Sequence, residues 1–356
     1  MKTAHLLGRL VRGTALAVAG GLIATTAMSL APQHASAQSS EVNLYTTREP
    51  GLIKPLLEAF TKSTGIAVNT VFVKEGLPER VATEGDKSPA DVLMTVDFGN
   101  LTDLLDKGVT QPVTSAALDE AIPANLRDPN GNWFALSLRA RVLYASKERL
   151  GDLKSFTYEE LADPKWKGKV CIRSGKHPYN TALIATMIAK DGEEKTRAWL
   201  EGVKANLARK AAGGDRDVAR DILGDICDLG LANSYYVGLM RSGAGGPDQE
   251  KWGEAINVVL PTFEGGGTQV NISGAAVAKH APNRDNAVKL LEYLVSPEAQ
   301  AIYANANFEY PVRPGVKPDA IVASFGELKI DPAQLAEISK YRKRASELVD
   351  EVGFDS

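Results

Sequence analysis

Of the ten tyrosines in this 356-residue chain, three stand at positions where their oxygens could do chemistry: Tyr179, Tyr235 and Tyr236. A phenol is a poor metal ligand until it loses its proton, and that loss is uphill at neutral pH because an ordinary phenol titrates near ~10. A small, highly charged cation can hold the proton off, and phenolate is a hard oxygen donor suited to ferric iron. Three phenolates would also cancel the charge of one Fe(III). Zinc or copper would draw on His and Cys instead, and beyond residue 37 the only histidines are His177 and His280. A tyrosine pair with no other context reads first as amphipathic packing, its hydroxyls in water.

Some framework must carry these side chains to one place. Val42-Asn43-Leu44-Tyr45 alternates as a strand, Leu52 to Phe60 recurs at helical spacing up to Gly65, and Ile66 to Val73 alternates again, so a parallel pair is expected. Ala90 to Val96 is a nearly continuous apolar strand followed by a helix through Leu101, Leu104 and Leu105. A second set starts near Trp133. It comprises strands at Arg141 to Ala145, Lys169 to Ile172, Leu229 to Tyr236 and Ile256 to Leu260, with helices from about Thr181 and around Trp199 and Leu200. Val270 to Ala278 and a helix from Asn286 to Leu294 return to the first pattern, and Pro332 to Val352 reads as one charged amphipathic helix. Such alternation predicts an α/β fold with open sheets, and the length suggests two domains of ordinary size. Ligands of open α/β sheets sit outside the carboxyl ends of the strands, where the three tyrosines fall. Adjacent strand residues face opposite sides, so Tyr235 and Tyr236 can share one site only where the strand ends and the backbone turns.

The rest of the chain narrows the function classes. Lys2, Arg9 and Arg12, an apolar stretch from Thr14 to Leu30 and the Ala35-Ser36-Ala37 site read as a cleaved signal over residues 1–37, which places the product in the periplasm. That segment carries three basic and no acidic residues, so its removal takes the formal charge of -3 to about -6. With no basic stripe, nucleic acid is not an expected partner. Cys171 and Cys227 are the two cysteines, and in an oxidising compartment an even pair reads first as a disulfide, with two free thiols as the alternative. No Gly-x-Ser-x-Gly elbow, phosphate loop, dinucleotide fingerprint or His-Glu-x-x-His motif is present, and Asp97 and Glu309 carry no spacing that singles out acid–base work, so an enzyme is not expected. Gly265-Gly266-Gly267 lacks the Lys and Ser/Thr of a phosphate loop and is expected to be a flexible connection.

Ala232-Asn233-Ser234-Tyr235-Tyr236-Val237-Gly238, with Ile172-Arg173-Ser174-Gly175 leading to Tyr179 at 56 residues before Tyr235, resembles the ferric-ion-binding proteins of bacterial iron ABC transporters. Tyr45-Thr46-Thr47-Arg48, Arg139-Ala140-Arg141-Val142, Asn271-Ile272-Ser273-Gly274 and Phe308-Glu309-Tyr310-Pro311-Val312 extend the resemblance over nearly the whole chain. The resemblance implies a two-lobed periplasmic binding protein of type II, with a hinge between two mixed open sheets. Its N-terminal lobe would comprise residues 38–137 and 264–313, and its C-terminal lobe 138–263 and 314–356. It implies that Tyr179, Tyr235 and Tyr236 bind Fe(III), that the protein is a monomer, and that its partner is an inner-membrane iron ABC transporter permease. In many relatives a His or Tyr directly after the arginine matching Arg48 adds a ligand from the first lobe. Here Glu49 and Pro50 stand there, and Pro50 cannot coordinate. The resemblance therefore favours carbonate or another small anion over Glu49, with Arg48, Thr47 and Arg139 as further contacts. A same-fold binder of an organic solute or oxyanion is the alternative, its tyrosines stacking on or hydrogen-bonding to the ligand.

Overall fold

The computed structural model describes residues 40–356, so the signal reading lies outside the described residues. The described residues form ten strands: β1 (Glu41–Thr46), β2 (Ala67–Phe72), β3 (Val92–Thr95), β4 (Thr110–Gln111), β5 (Phe134–Ser146), β6 (Val170–Cys171), β7 (Leu229–Asn233), β8 (Ile256–Val259), β9 (Val270–Ala278) and β10 (Tyr310–Pro311). They follow the order β2-β1-β3-β9-β5-β7-β6, with β10 and β8 on β5 and β4 on β9.

The opening units form for the reasons their patterns give. β1 pairs in parallel with both β2 and β3, and the helix Pro50–Thr64 between β1 and β2 buries Ile53, Leu56, Leu57 and Phe60 along one face. Pro50 begins that helix and Gly65 ends it at φ 73, a left-handed cap that any Cβ would strain. β3 is buried at all four positions, as its apolar run requires.

β5 joins the two halves. Its thirteen residues are all buried; Phe134 to Ala140 pair with β9, and Arg141 to Ala145 pair with β7. The two open sheets therefore meet in one continuous path, because this strand belongs to both. On the far side β6 runs parallel to β7, with Cys171 beside Gly230. A Cβ on Gly230 would come within 2.0 Å of the Cys171 carbonyl oxygen, so the close approach of these strands requires glycine. The Cys171–Cys227 disulfide, Cα–Cα 5.8 Å, closes the same end. Both strands then open at one edge, which is where the two tyrosine segments emerge.

Several boundaries differ from the sequence reading. β7 ends at Asn233, and Tyr235–Arg241 is a helix instead of the end of a strand. The ladder stops at Ser234, whose N–H donates to the Ala140 carbonyl at 3.0 Å, and Val237 N–H then donates back to Ser234 at 3.1 Å. The helix expected from Thr181 starts at Pro178, with the His177 Nδ1 accepting from the Tyr179 N–H. The single C-terminal helix is two, Leu335–Ser339 and Arg342–Val352, separated at Lys340 and Tyr341. The triple-glycine loop is pinned: Gly267 N–H donates to Asp331 at 3.1 Å, and Asp331 also pairs with Lys190 at 2.9 Å. Tyr45 and Tyr144 are buried in the core, and the Tyr144 hydroxyl donates to the Asn233 carbonyl at 2.8 Å. No helix among the described residues is long and apolar enough to cross a membrane.

Candidate functional site

Tyr179 sits in the first turn of the helix Pro178–Asp191, and Tyr235 and Tyr236 open the helix Tyr235–Arg241. The two helix starts follow the parallel strands β6 and β7, so both deliver their tyrosines to one edge of the sheet. The Tyr179 and Tyr235 hydroxyls lie 3.4 Å apart. The Tyr236 ring stacks on Tyr235 with centroids 4.1 Å apart and planes tilted by 32°. All three side chains are half-buried.

Tyr179 and Tyr235 form one wall of a cleft of about 220 Å³. Thr47, Arg48, Glu49, Arg139 and Glu309 line the same cleft, so the four further contacts suggested by the sequence, Thr47, Arg48, Glu49 and Arg139, are all there. Tyr236 is not part of that wall and reaches the group through its contact with Tyr235.

The surrounding charges are mostly positive. The guanidinium of Arg139 lies 5.6 Å from the Tyr179 ring centre and that of Arg173 lies 5.2 Å from it, while Arg216 lies 5.6 Å from the Tyr236 ring. Arg139 is buried and donates to the Val96 and Ile272 carbonyls, yet its Nε meets no hydrogen-bond partner. Arg48 is committed elsewhere: its Nη2 donates to Glu309 at 2.8 Å and also to Ser273, leaving its Nε unpartnered. Glu309 accepts from Ser137 as well. Glu49 is exposed at the start of the helix Pro50–Thr64 and makes no capping bond with its side chain. The Thr47 hydroxyl accepts from the Val96 N–H at 3.2 Å, which ties the turn after β1 to the turn after β3.

Burial dominates the acidities. It pushes Tyr235 well above the ordinary phenol range, and the neighbouring Tyr179 and Tyr236 oxygens push it further. Tyr236 is pushed up to about 12, first by burial and then by Tyr179 and Asp215. His177 is pushed down to about 4 by burial and by Arg173, so its imidazole is neutral at pH 7. Burial pushes Glu309 up, but Arg48, Arg139 and the Ser137 hydrogen bond outweigh it and hold the carboxyl below its usual range. At neutral pH Tyr235 and Tyr236 therefore keep their protons until something replaces them. Among the described residues, no group of three or more His, Cys, Asp and Glu is placed to hold a metal.

Glu309 and Asp215 were not singled out from the sequence. Glu309 lies in the segment Phe308 to Val312, but nothing in its spacing shows that it neutralises Arg48 across 261 positions. Asp215 carries no local signal.

Residues 87–324 match the family model described as bacterial extracellular solute-binding protein, more than half of the chain. The chain belongs to this family. Bacterial extracellular solute-binding proteins are binding proteins and not a class of enzyme. The chain is 43% identical over 338 residues to iron uptake protein A2 of Synechocystis, covering 94% of this chain and 96% of that relative. Among solved structures, the Bordetella ferric binding protein is 71% identical with a TM-score of 0.86, covering 89% of this chain and 100% of the other. A Trichodesmium protein solved with iron and citrate ligands is 41% identical with a TM-score of 0.85, covering 88% and 99%. The fold is the two-lobed α/β fold of these solute-binding proteins, and the relatives are named for ferric iron and its uptake.

Proposed function

We propose that this solute-binding protein captures Fe(III) as its cargo through the phenolate oxygens of Tyr179, Tyr235 and Tyr236, and delivers it to an inner-membrane ABC transporter. The observation that carries this reading is the meeting of Tyr179 and Tyr235, hydroxyls 3.4 Å apart, with Tyr236 stacked alongside at the wall of a cleft. A packing role would not require two phenol oxygens to face each other within a group of three guanidinium cations. Those cations offset the negative charge that three phenolates bring together.

The remaining coordination is assigned to a small anion such as carbonate, in preference to Glu49. Arg139 supports this choice because it lines the cleft and its buried Nε has no hydrogen-bond partner, whereas Arg48 already has Glu309 as counter-ion. Thr47 and Glu49 stand beside the same space. The lobes proposed are 38–137 with 264–313, and 138–263 with 314–356. Their first boundary falls within β5, three residues before its pairing passes from β9 at Ala140 to β7 at Arg141. Closure about that strand would bring the Arg48 and Glu49 turn over the tyrosines and present a closed shape to the permease. The protein would act in the periplasm, as a monomer, after removal of residues 1–37. Acid, which returns protons to the phenolates, or reduction to Fe(II) would favour release.

The test is to add ferric citrate to the purified iron-free protein and record the visible spectrum. A phenolate-to-iron charge-transfer band that disappears in Tyr179→Phe, Tyr235→Phe and Tyr236→Phe is the expected result. A colourless protein, or a band untouched by all three substitutions, would reject the reading.

A further inference from the structure

Behind the tyrosines lies a buried polar node that metal binding does not directly use. Asp215 and Arg141, each 1% exposed, pair at 2.8 Å. The same carboxylate accepts from Arg173 at 3.1 Å and from the Asn233 backbone N–H at 2.8 Å. Arg141 in turn donates to the Asn180 side-chain oxygen at 2.6 Å and to that of Asn233 at 3.2 Å. Asn180 closes the circuit by donating to the Arg173 and Ser174 carbonyls, both at 3.0 Å.

The addresses of these partners are informative. Asn180 follows Tyr179 in the chain. Asn233 is the last residue of β7, two before Tyr235. Arg173 stands over the Tyr179 ring, and Arg216, directly after Asp215, stands over the Tyr236 ring. Each segment that carries or flanks a tyrosine is thus fastened to one carboxylate, although the segments are far apart in sequence. The loop before Asp215 is itself held, since Gly214 N–H donates to Asp217 at 2.7 Å.

A buried guanidinium and a half-buried one would repel one another, and the buried one would carry a large desolvation penalty, without a shared counter-ion. A single carboxylate that uses both oxygens can satisfy both and leave a direction for the Asn233 amide. The geometry it fixes is the separation between the helix starts at Pro178 and Tyr235. A metal site tolerates errors of only about 0.5 Å in its ligand frame, so the support of that frame is part of the site.

We infer that Asp215 is a positioning residue for the iron site, one that holds the Tyr179 and Tyr235–Tyr236 segments in register through Arg141, Arg173 and Asn233. The inference rests on the proposed iron reading. Groups that orient metal ligands from behind typically change metal affinity by roughly 10- to 100-fold when removed.

The experiment compares wild type, Asp215→Asn and Arg173→Ala with Asp221→Asn. Asp221 is a second buried carboxylate on the same helix, paired with Arg209 at 2.6 Å and Arg220 at 2.9 Å, and it makes no bond to the tyrosine segments. Thermal unfolding gives stability, citrate competition gives affinity for Fe(III), and the position and intensity of the charge-transfer band give ligand geometry. Asp215→Asn is expected to weaken iron binding at least about tenfold and to shift or broaden the band. Arg173→Ala, at a half-buried position, is expected to do the same to a lesser degree. Asp221→Asn is expected to lower the unfolding temperature while leaving affinity and band as in wild type. Wild-type affinity and band in Arg173→Ala and in any folded Asp215→Asn would overturn the inference, as would an equal change in Asp221→Asn. Absence of the band in wild type would instead reject the iron reading itself.

Discussion

Arg48 and Glu309 meet at 2.8 Å across 261 positions of chain, both buried at the wall of the cleft. Glu309 also accepts from Ser137 and Ser273, which stand on the neighbouring strands β5 and β9. The pair joins the turn after β1, the two long strands and the segment leading into β10.

Glu309→Gln would leave the Arg48 charge buried without its counter-ion, and is expected to lower stability by about 3–5 kcal/mol in urea unfolding at pH 7. The folded carboxyl titrates below its unfolded value, so its contribution is present above about pH 4.3 and fades as pH falls through the lowered folded value. The gap between wild type and Glu309→Gln should therefore narrow on acidification below that pH. A gap that widens there would contradict the assignment of Glu309 as a buried anion.

Each Tyr→Phe substitution at positions 179, 235 and 236 removes one oxygen and little packing. The expected loss of Fe(III) affinity exceeds the roughly 10- to 100-fold typical of an outer partner, while unfolding free energies stay within about 1 kcal/mol of wild type. Isothermal competition against citrate, with parallel thermal melts, separates the two quantities. A large loss of stability with affinity retained would mark the tyrosines as packing residues.

Iron binding should release protons. Tyr235 and Tyr236 titrate above the ordinary phenol range in the iron-free protein, so both are protonated at pH 7 and must lose their protons to coordinate. The sign follows: affinity rises with pH and falls in acid. About three protons released per iron is the expectation for three phenolates, measurable with a pH indicator in weakly buffered solution. Uptake with no proton release would exclude phenolate ligation.

The Cys171–Cys227 bond spans 56 positions and closes the base of the β6–β7 pair, away from the edge that carries the tyrosines. Replacing both cysteines by Ala is expected to lower stability by up to about 4 kcal/mol, the loop-closure value for this length. Iron affinity of the folded fraction should change far less than in Asp215→Asn, because the polar node holds the upper end. Comparing denaturant midpoints with citrate competition on the same samples checks both statements.

Local patterns made much of this protein legible in one dimension. The apolar positions of β1, the helical spacing from Leu52 to Phe60 and the buried run of β3 record which residues of each element meet the core. The three tyrosines and the even cysteine pair could likewise be found from residue type and position. The start of a helix at Tyr235 could not. A run such as Leu229 to Tyr236 fits a strand until the partner strand stops offering bonds, and here β5 makes its last to this segment at Ala140. The pairing of Arg48 with Glu309 and the gathering of Arg141, Arg173 and Asn233 on Asp215 are likewise invisible in sequence. A buried charge has no periodicity of its own. Its partner is whichever opposite charge the packed elements bring within reach, and that is known only once all of them are in place.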